Sequence, residues 1–453
     1  MSFLRRILRT ENEKTQQLTV NISISLLVKG LAMVLSFFSL PLYMSFFNNS
    51  VVLGLWYTLL SVLTWINMFD FGLTNGLRNR LVKPIEEHQY AKISEYISST
   101  VYALIVISAI ILAGGLALLL AFDINNLLNV SDATISYAGM RITTVILLIG
   151  ITVSFILKVN TSINYALQVS FVNDINTFLS SLIPLLFIVF TRKLEISLDN
   201  KLIIMAIVHV IATWLPTLVS FVVVKHTNSV LSQVKLSCQY MNHTVAKDIT
   251  KFGVSFFVVQ AAFLLITQTN EFMISAFFSP DVVVSFRAYN SLFLIVGSIF
   301  QVALSPVWSS VTKASIQKDF VWLRKLQKKL YFVSLLAFFV ELLVVPFTGT
   351  IFRIWLKENA VPVDYRIAFL FAVYGGLYIL NVVVTTVANG LGKLKIQTIF
   401  YSIGAVMKIP IVYFSSKLFP NSWFVVILVN VVALLIFCLA QTIWLHRFIQ
   451  KVS

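Results

Sequence analysis

Charge is scarce in this chain. Only 11% of its 453 residues are Asp, Glu, Lys or Arg, against about one-quarter in an average soluble domain, which excludes a water-soluble globule. Acids are scarcer than bases, 18 against 34. Cysteine is nearly absent: Cys238 lies in a basic stretch and Cys438 in an apolar run, which argues against a disulfide framework. The five histidines are scattered without ligand spacing, so no metal site is expected. No Walker phosphate loop occurs, because the nearest approach, ANGLGK at 388–393, lacks the first glycine and the closing Ser or Thr. Direct ATP use is therefore not expected, and no cofactor is called for. Long polar segments are missing as well, leaving no folded domain outside the apolar runs. An enzyme of outer-face polysaccharide would need a large loop, so the chain is expected not to be an enzyme.

What the chain has is hydrophobic length. Its mean hydropathy is +0.90, and apolar runs of about 20 residues recur from end to end, each able as a helix to cross a hydrocarbon core of about 30 Å. Lipid offers no partner to free backbone groups, so spans must be helices or a closed barrel, and barrel strands would alternate in short segments. The expected fold class is an all-α integral membrane protein of about twelve transmembrane helices. They are placed at 18–42, 51–70, 98–121, 141–160, 172–190, 202–224, 252–278, 283–308, 331–350, 366–388, 396–417 and 422–444. The polar start MSFLRRILRTENEKTQQ precedes an apolar run too long for a signal-peptide core and reads as a cytoplasmic tail. With both termini inside, about 23 Lys and Arg fall on the cytoplasmic side and about 8 outside, which fits the positive-inside rule. Bases flanking helix ends opposite anionic lipid account for the net charge of +16, so nucleic acid is not an expected partner. The basic stretch 225–251 divides the chain into two six-helix bundles, 1–225 and 226–453, which suggests parallel repeats.

Ionisable side chains at membrane depth are costly and mark candidate sites. Lys29 lies well inside the first span on a face shared with Asn21 and Ser25, and is expected to meet an interior cavity or a structural ion pair. Glu271 and Arg287 stand eight residues before and after Ser279, so two antiparallel helices would bring them to the same depth. They read as a static salt bridge or as a pair that opens for an anionic ligand or a proton. Tyr374, Tyr378, Asn381, Thr385 and Asn389 form a stripe suited to hydroxyl-rich ligands or to interhelical contacts. Lys408 is mid-span, two residues before Pro410, a residue that frees a carbonyl. Asp174 is expected at the interface, and Glu341 receives no role. The deep cations Lys29, Arg287 and Lys408 against Glu271 and Glu341 favour an anionic ligand, for which a diphosphate is well suited.

One further stretch stands out, FDFGLTNGLRNRL at 69–81, where an apolar run ends. Asp70 would lie at the interface, Gly72 and Gly76 permit close helix approach, and Arg78 and Arg80 would capture an anionic head group at the inner leaflet. This stretch resembles the segment after the second helix of Wzx-type polysaccharide exporters, in the superfamily that also holds MATE drug exporters and the lipid II flippase. SPVWSSVTKA at 305–314 resembles the end of their eighth helix. The resemblance implies a MATE-like, two-bundle flippase of the bacterial inner membrane. Such a protein moves undecaprenyl-diphosphate-linked oligosaccharide units, of O-antigen or capsule, to the outer leaflet by ion-coupled alternating access. It also implies other polysaccharide-assembly membrane proteins as partners. On the depth argument rather than on any motif, Lys29, Arg287 and Lys408 would meet the diphosphate, and Tyr374, Tyr378 and Asn381 the sugars. Glu271, Asp70 and Asp174 are assigned to coupling or gating. A MATE-like exporter of organic cations, using Glu271 and aromatic side chains, is the rival, and a non-transporting scaffold the third reading.

Overall fold

The computed structural model describes residues 13–67, 73–167, 169–191, 195–234, 237–242, 244–245, 247, 261–316 and 318–452. The described residues form helices and connections, without a strand. Ten of the helices are long and apolar enough to cross a membrane, and a bent pair makes up to eleven. Their outer faces are apolar: Leu120 and Ile354 are each 73% exposed and Phe190 83%, a surface that water would penalise and lipid accepts. The span expected at 252–278 lies partly outside the described residues.

The chain divides into two compact units, one of Met1–Ser36, Leu63–Leu127 and Ser131–Phe257, the other of Phe37–Val62, Leu128–Val130 and Val258–Ser453. The first unit holds the start of α1 (Glu13–Phe47), α3 (Leu73–Glu86), α4 (Tyr90–Ala121), α5 (Tyr137–Ala166), α6 (Phe171–Thr191) and α7 (Leu198–Thr227). Polar side chains tie these helices together where apolar packing gives little net drive in lipid. Asn160 of α5 donates to the Thr217 carbonyl and to the Ser220 hydroxyl of α7, and Asn176 of α6 donates to that same hydroxyl. At the N-terminus of α5, the Ser136 hydroxyl accepts from the Gly139 amide, and both its own amide and its hydroxyl donate to Asp199 of α7.

The stretch that carried the family resemblance continues where a helix terminus was expected. Residues 68–72, with Asp70 and Gly72 among them, lie outside the described residues, but Leu73–Glu86 forms a 14-residue helix. Leu73, Leu77 and Leu81 recur every fourth residue and are buried, while Arg78, Arg80 and Lys83 are exposed. An amphipathic helix follows from that spacing. The Arg78 guanidinium stacks 4.5 Å from the centre of the Tyr165 ring.

The second unit holds α2 (Ser50–Asn67) up to Val62, then α8 (Asn270–Phe277), α9 (Pro280–Phe293), α10 (Ile295–Ile316), α11 (Phe320–Val344), α12 (Tyr365–Gly390), α13 (Lys395–Leu418) and α14 (Val425–Val452). At its centre is α12, packed against α9, α10, α11 and α14. Two spans expected to be continuous are broken. Residues 261–267 are helical, 268–269 are not, and α8 begins at Asn270. Between α9 and α10 the axis bends by 49°, just ahead of the Gly297–Ser298 pair, a common cause of kinks. The Tyr378 ring fills the space at Gly297, lying 2.5 Å from where a Cβ would stand.

Backbone packs directly on backbone at Gly54 of α2, where an added Cβ would stand 1.6 Å from the Pro280 carbonyl oxygen. Gly54→Ala is expected to destabilise the purified protein by about 3 kcal/mol, as overpacking does. Gly30→Ala, with nothing within 4 Å of the new methyl, is expected to leave the thermal unfolding midpoint in detergent unchanged or slightly raised.

Candidate functional site

The buried polar residues of the second unit gather around the break before α8. A break inside a span frees carbonyls that lipid cannot satisfy. The Ile266 carbonyl accepts from Lys408 Nζ at 2.5 Å, and the Thr267 carbonyl accepts from the Asn270 side-chain amide at 2.8 Å. Asn270 Oδ1 in turn accepts from Lys408 Nζ at 2.7 Å and from Asn430 of α14 at 2.9 Å. Lys408, 1% exposed, thus spends its donors on protein groups. The helix α13 runs unbroken through Pro410, so the carbonyl that Lys408 satisfies belongs to a neighbouring span.

Glu271 is the second residue of α8, in a first turn whose free amides favour negative charge. Arg287 of α9 meets it at 3.0 Å, the equal-depth pairing expected from the sequence. The guanidinium also lies over the Tyr57 ring of α2, 4.6 Å from its centre. The pair is uneven in access: the Glu271 side chain is 7% exposed and that of Arg287 28%.

The α12 stripe is largely closed. Asn381 accepts from the Tyr401 hydroxyl at 2.5 Å, Asn389 from Gln397 at 2.8 Å, and Tyr374, 1% exposed, lies beside Asn430. Tyr378 is only partly buried. In the first unit Lys29 stands 3.6 Å from Asp174, which occupies the first turn of α6. The Lys29 side chain is 44% exposed, that of Asp174 15%. Asp70 lies outside the described residues; Arg78 and Arg80 sit on the exposed face of α3.

Partners not singled out from the sequence include Tyr57 under Arg287, Asn430 on Asn270, Tyr401 on Asn381, Gln397 on Asn389 and Asp199 on Ser136. Asn430 carried a signal, as a lone amide within the apolar run VVILVNVVALL. Tyr57 and Asp199 carried none, because their roles depend on tertiary neighbours. Among the described residues no group of three His, Cys, Asp or Glu is placed to hold a metal.

Comparison with known structures gives the fold its class, which is MATE-like. No protein-family model matches the chain, and no curated protein does. A multidrug resistance MATE family transporter of the MOP superfamily in an inward-facing conformation is similar at TM-score 0.70 and 14% identity, over 96% of this chain and 98% of that one. The Vibrio cholerae MATE transporter VcmN in its bent form gives TM-score 0.58 at 14% identity, over 97% and 99%. A MOP superfamily transporter of Pyrococcus furiosus, for which reverse polarity of the binding pocket is taken to suggest a different function, gives 0.59 at 13% identity, over 96% of each chain.

Lys408→Met keeps the stem and removes the donor, leaving the Ile266 carbonyl without it. Leaving a buried acceptor unpaired costs about 2 kcal/mol, so the variant's thermal unfolding midpoint is expected to fall by several degrees. An unchanged midpoint would mean that Lys408 does not brace the break.

Proposed function

We propose that the protein is a flippase for an undecaprenyl-diphosphate-linked oligosaccharide, carrying it from the cytoplasmic to the outer leaflet of a bacterial inner membrane. One observation carries this reading: two acids of the spans are each held by a base, Glu271 by Arg287 and Asp174 by Lys29. Lys408 makes no salt bridge to a carboxylate among the described residues. A diphosphate offers Arg287 or Lys29 stronger charge-assisted hydrogen bonds than a carboxylate does. It would displace the carboxylate, which then becomes free to take a proton.

Substrate binding and ion binding are coupled by that exchange. Arg287 and Lys29 supply it because both retain exposed surface. Lys408, Tyr374 and Asn381 are buried, whereas Tyr378, Thr385 and Asn389 of the stripe keep some surface to offer a sugar. The exposed face of α3, with Arg78 and Arg80, gathers anionic head groups at the cytoplasmic surface.

The likeness to multidrug MATE transporters keeps a second reading in place, the export of organic cations. Deleting the gene in its host separates the two. Loss of surface polysaccharide with accumulation of complete, inward-facing lipid-linked units is the expected result; normal polysaccharide with raised sensitivity to cationic drugs would favour the exporter. Complementation then tests the residues: Lys29→Ala and Arg287→Gln are each expected to cut polysaccharide export at least tenfold, about 1.4 kcal/mol or more, with the protein still inserted. Full activity of either variant would remove that residue from the mechanism.

A further inference from the structure

Glu341 takes no part in the arrangement described so far. It lies on α11, is 1% exposed, and its Oε1 has no hydrogen-bond partner. None of the described residues forms an ion pair with it. An ionised carboxylate buried without a partner costs several kcal/mol, and at membrane depth such a group marks an ion or proton pathway by default.

Its surroundings are built around oxygen. Gly375 of α12 leaves a notch between helices: a Cβ added there would stand 3.3 Å from Glu341 Oε1 and 2.6 Å from the Phe293 carbonyl oxygen. Phe293 is the last residue of α9, at the 49° break. Leu294 N–H donates to the Asn290 carbonyl there, and Ser298 N–H to the Leu294 carbonyl. A helix C-terminus carries partial negative charge, so a carboxylate and a helix end of the same sign converge on one notch.

That convergence is repulsive unless something positive lies between the two. Two bases deep in the spans of the unit are engaged elsewhere, Arg287 on Glu271 and Lys408 on Ile266 and Asn270. The titratable groups near this level on the elements packed against α11 are Tyr374 and Tyr378 of α12 and Cys438 of α14, whose thiol is directed at the Leu377 carbonyl. None of them supplies a positive charge. A divalent ion would ask for more than one carboxylate and for six or more oxygens. Freed carbonyls and half-helix C-termini at broken spans are suited to sodium ions or protons.

We propose that the Glu341 carboxylate and the Phe293 carbonyl, at the Gly375 notch, form a binding site for one monovalent cation, a proton or a sodium ion. Protonation would place the hydrogen on a carboxyl oxygen, which then donates to the Phe293 carbonyl; sodium would be shared between the same oxygens. Occupation neutralises the site in either case. Use of the bound cation to drive movement rests on the transporter reading, but binding does not, so the test reads binding alone.

The full-length protein, purified in detergent, is examined by radioactive sodium binding and by the infrared band of protonated carboxylic acids between about pH 5 and 9. Glu341→Gln, Glu341→Asp and the exposed control Glu87→Gln are compared with the wild type. In the sodium case, saturable binding falls at least tenfold in Glu341→Gln, at least threefold in Glu341→Asp, and is unchanged in Glu87→Gln. In the proton case there is no sodium binding, and a carboxylic acid band that fades as pH rises is absent from Glu341→Gln and shifted in Glu341→Asp. If neither signal depends on Glu341, the proposal is overturned. Should Glu341→Gln not remain monodisperse, Glu341→Asp decides by the same readouts.

Discussion

A hydrogen-bonding group freed inside a membrane span must find a partner in the protein, because lipid supplies none. Much of what distinguishes the C-terminal unit follows from the two places where its helices break. Before α8, the freed carbonyls of Ile266 and Thr267 are met by donors, Lys408 and the Asn270 amide. That break is closed from within, and the buried lysine serves it as the centre of a hydrogen-bonded frame reaching Asn430. The break after Phe293 is different. There the notch at Gly375 gathers a carbonyl and a carboxylate, two acceptors side by side.

The same economy governs the charges. Each of the acids Asp174 and Glu271 sits in the first turn of a helix, where free amides stabilise the carboxylate, and each faces one base. Such pairs contribute little net stability, since desolvation offsets much of the attraction. In the proposed flippase their value would lie in exchange. A partly exposed cation held by a carboxylate could trade it for a stronger oxyanion, and Arg287 lies over the Tyr57 ring.

Much of this fold was legible in the sequence because lipid reduces the choice to helices. The runs and the apolar outer faces follow from hydropathy, and the Glu271–Arg287 pairing followed from equal spacing about Ser279. The breaks were not legible. Neither 268–269 nor 294 contains a proline or glycine, and what stabilises the first break is a lysine 142 positions away. The α3 helix was legible, since Leu73, Leu77 and Leu81 announce an amphipathic face. The α12 stripe shows the limit of spacing arguments: regular intervals placed Tyr374 and Asn381 on shared faces, but only their neighbours Asn430 and Tyr401 reveal how far those faces are closed.

The residue type at 341 carries its own argument. If the notch needed only to be filled and satisfied, a glutamine would suffice: nearly the same shape, with an amide able to donate to the Phe293 carbonyl and no charge to bury. A glutamate can match that contact only when it carries a proton, and can otherwise be tolerated there only when a cation is bound. The unit already uses Gln397 and Gln441 at buried positions, so amides are accommodated among its helices. An acid in place of an amide makes the stability of the packed α11–α12 contact depend on whether a cation is present. A helix pair whose packing depends on occupancy in this way is the kind of element on which a cation gradient can act.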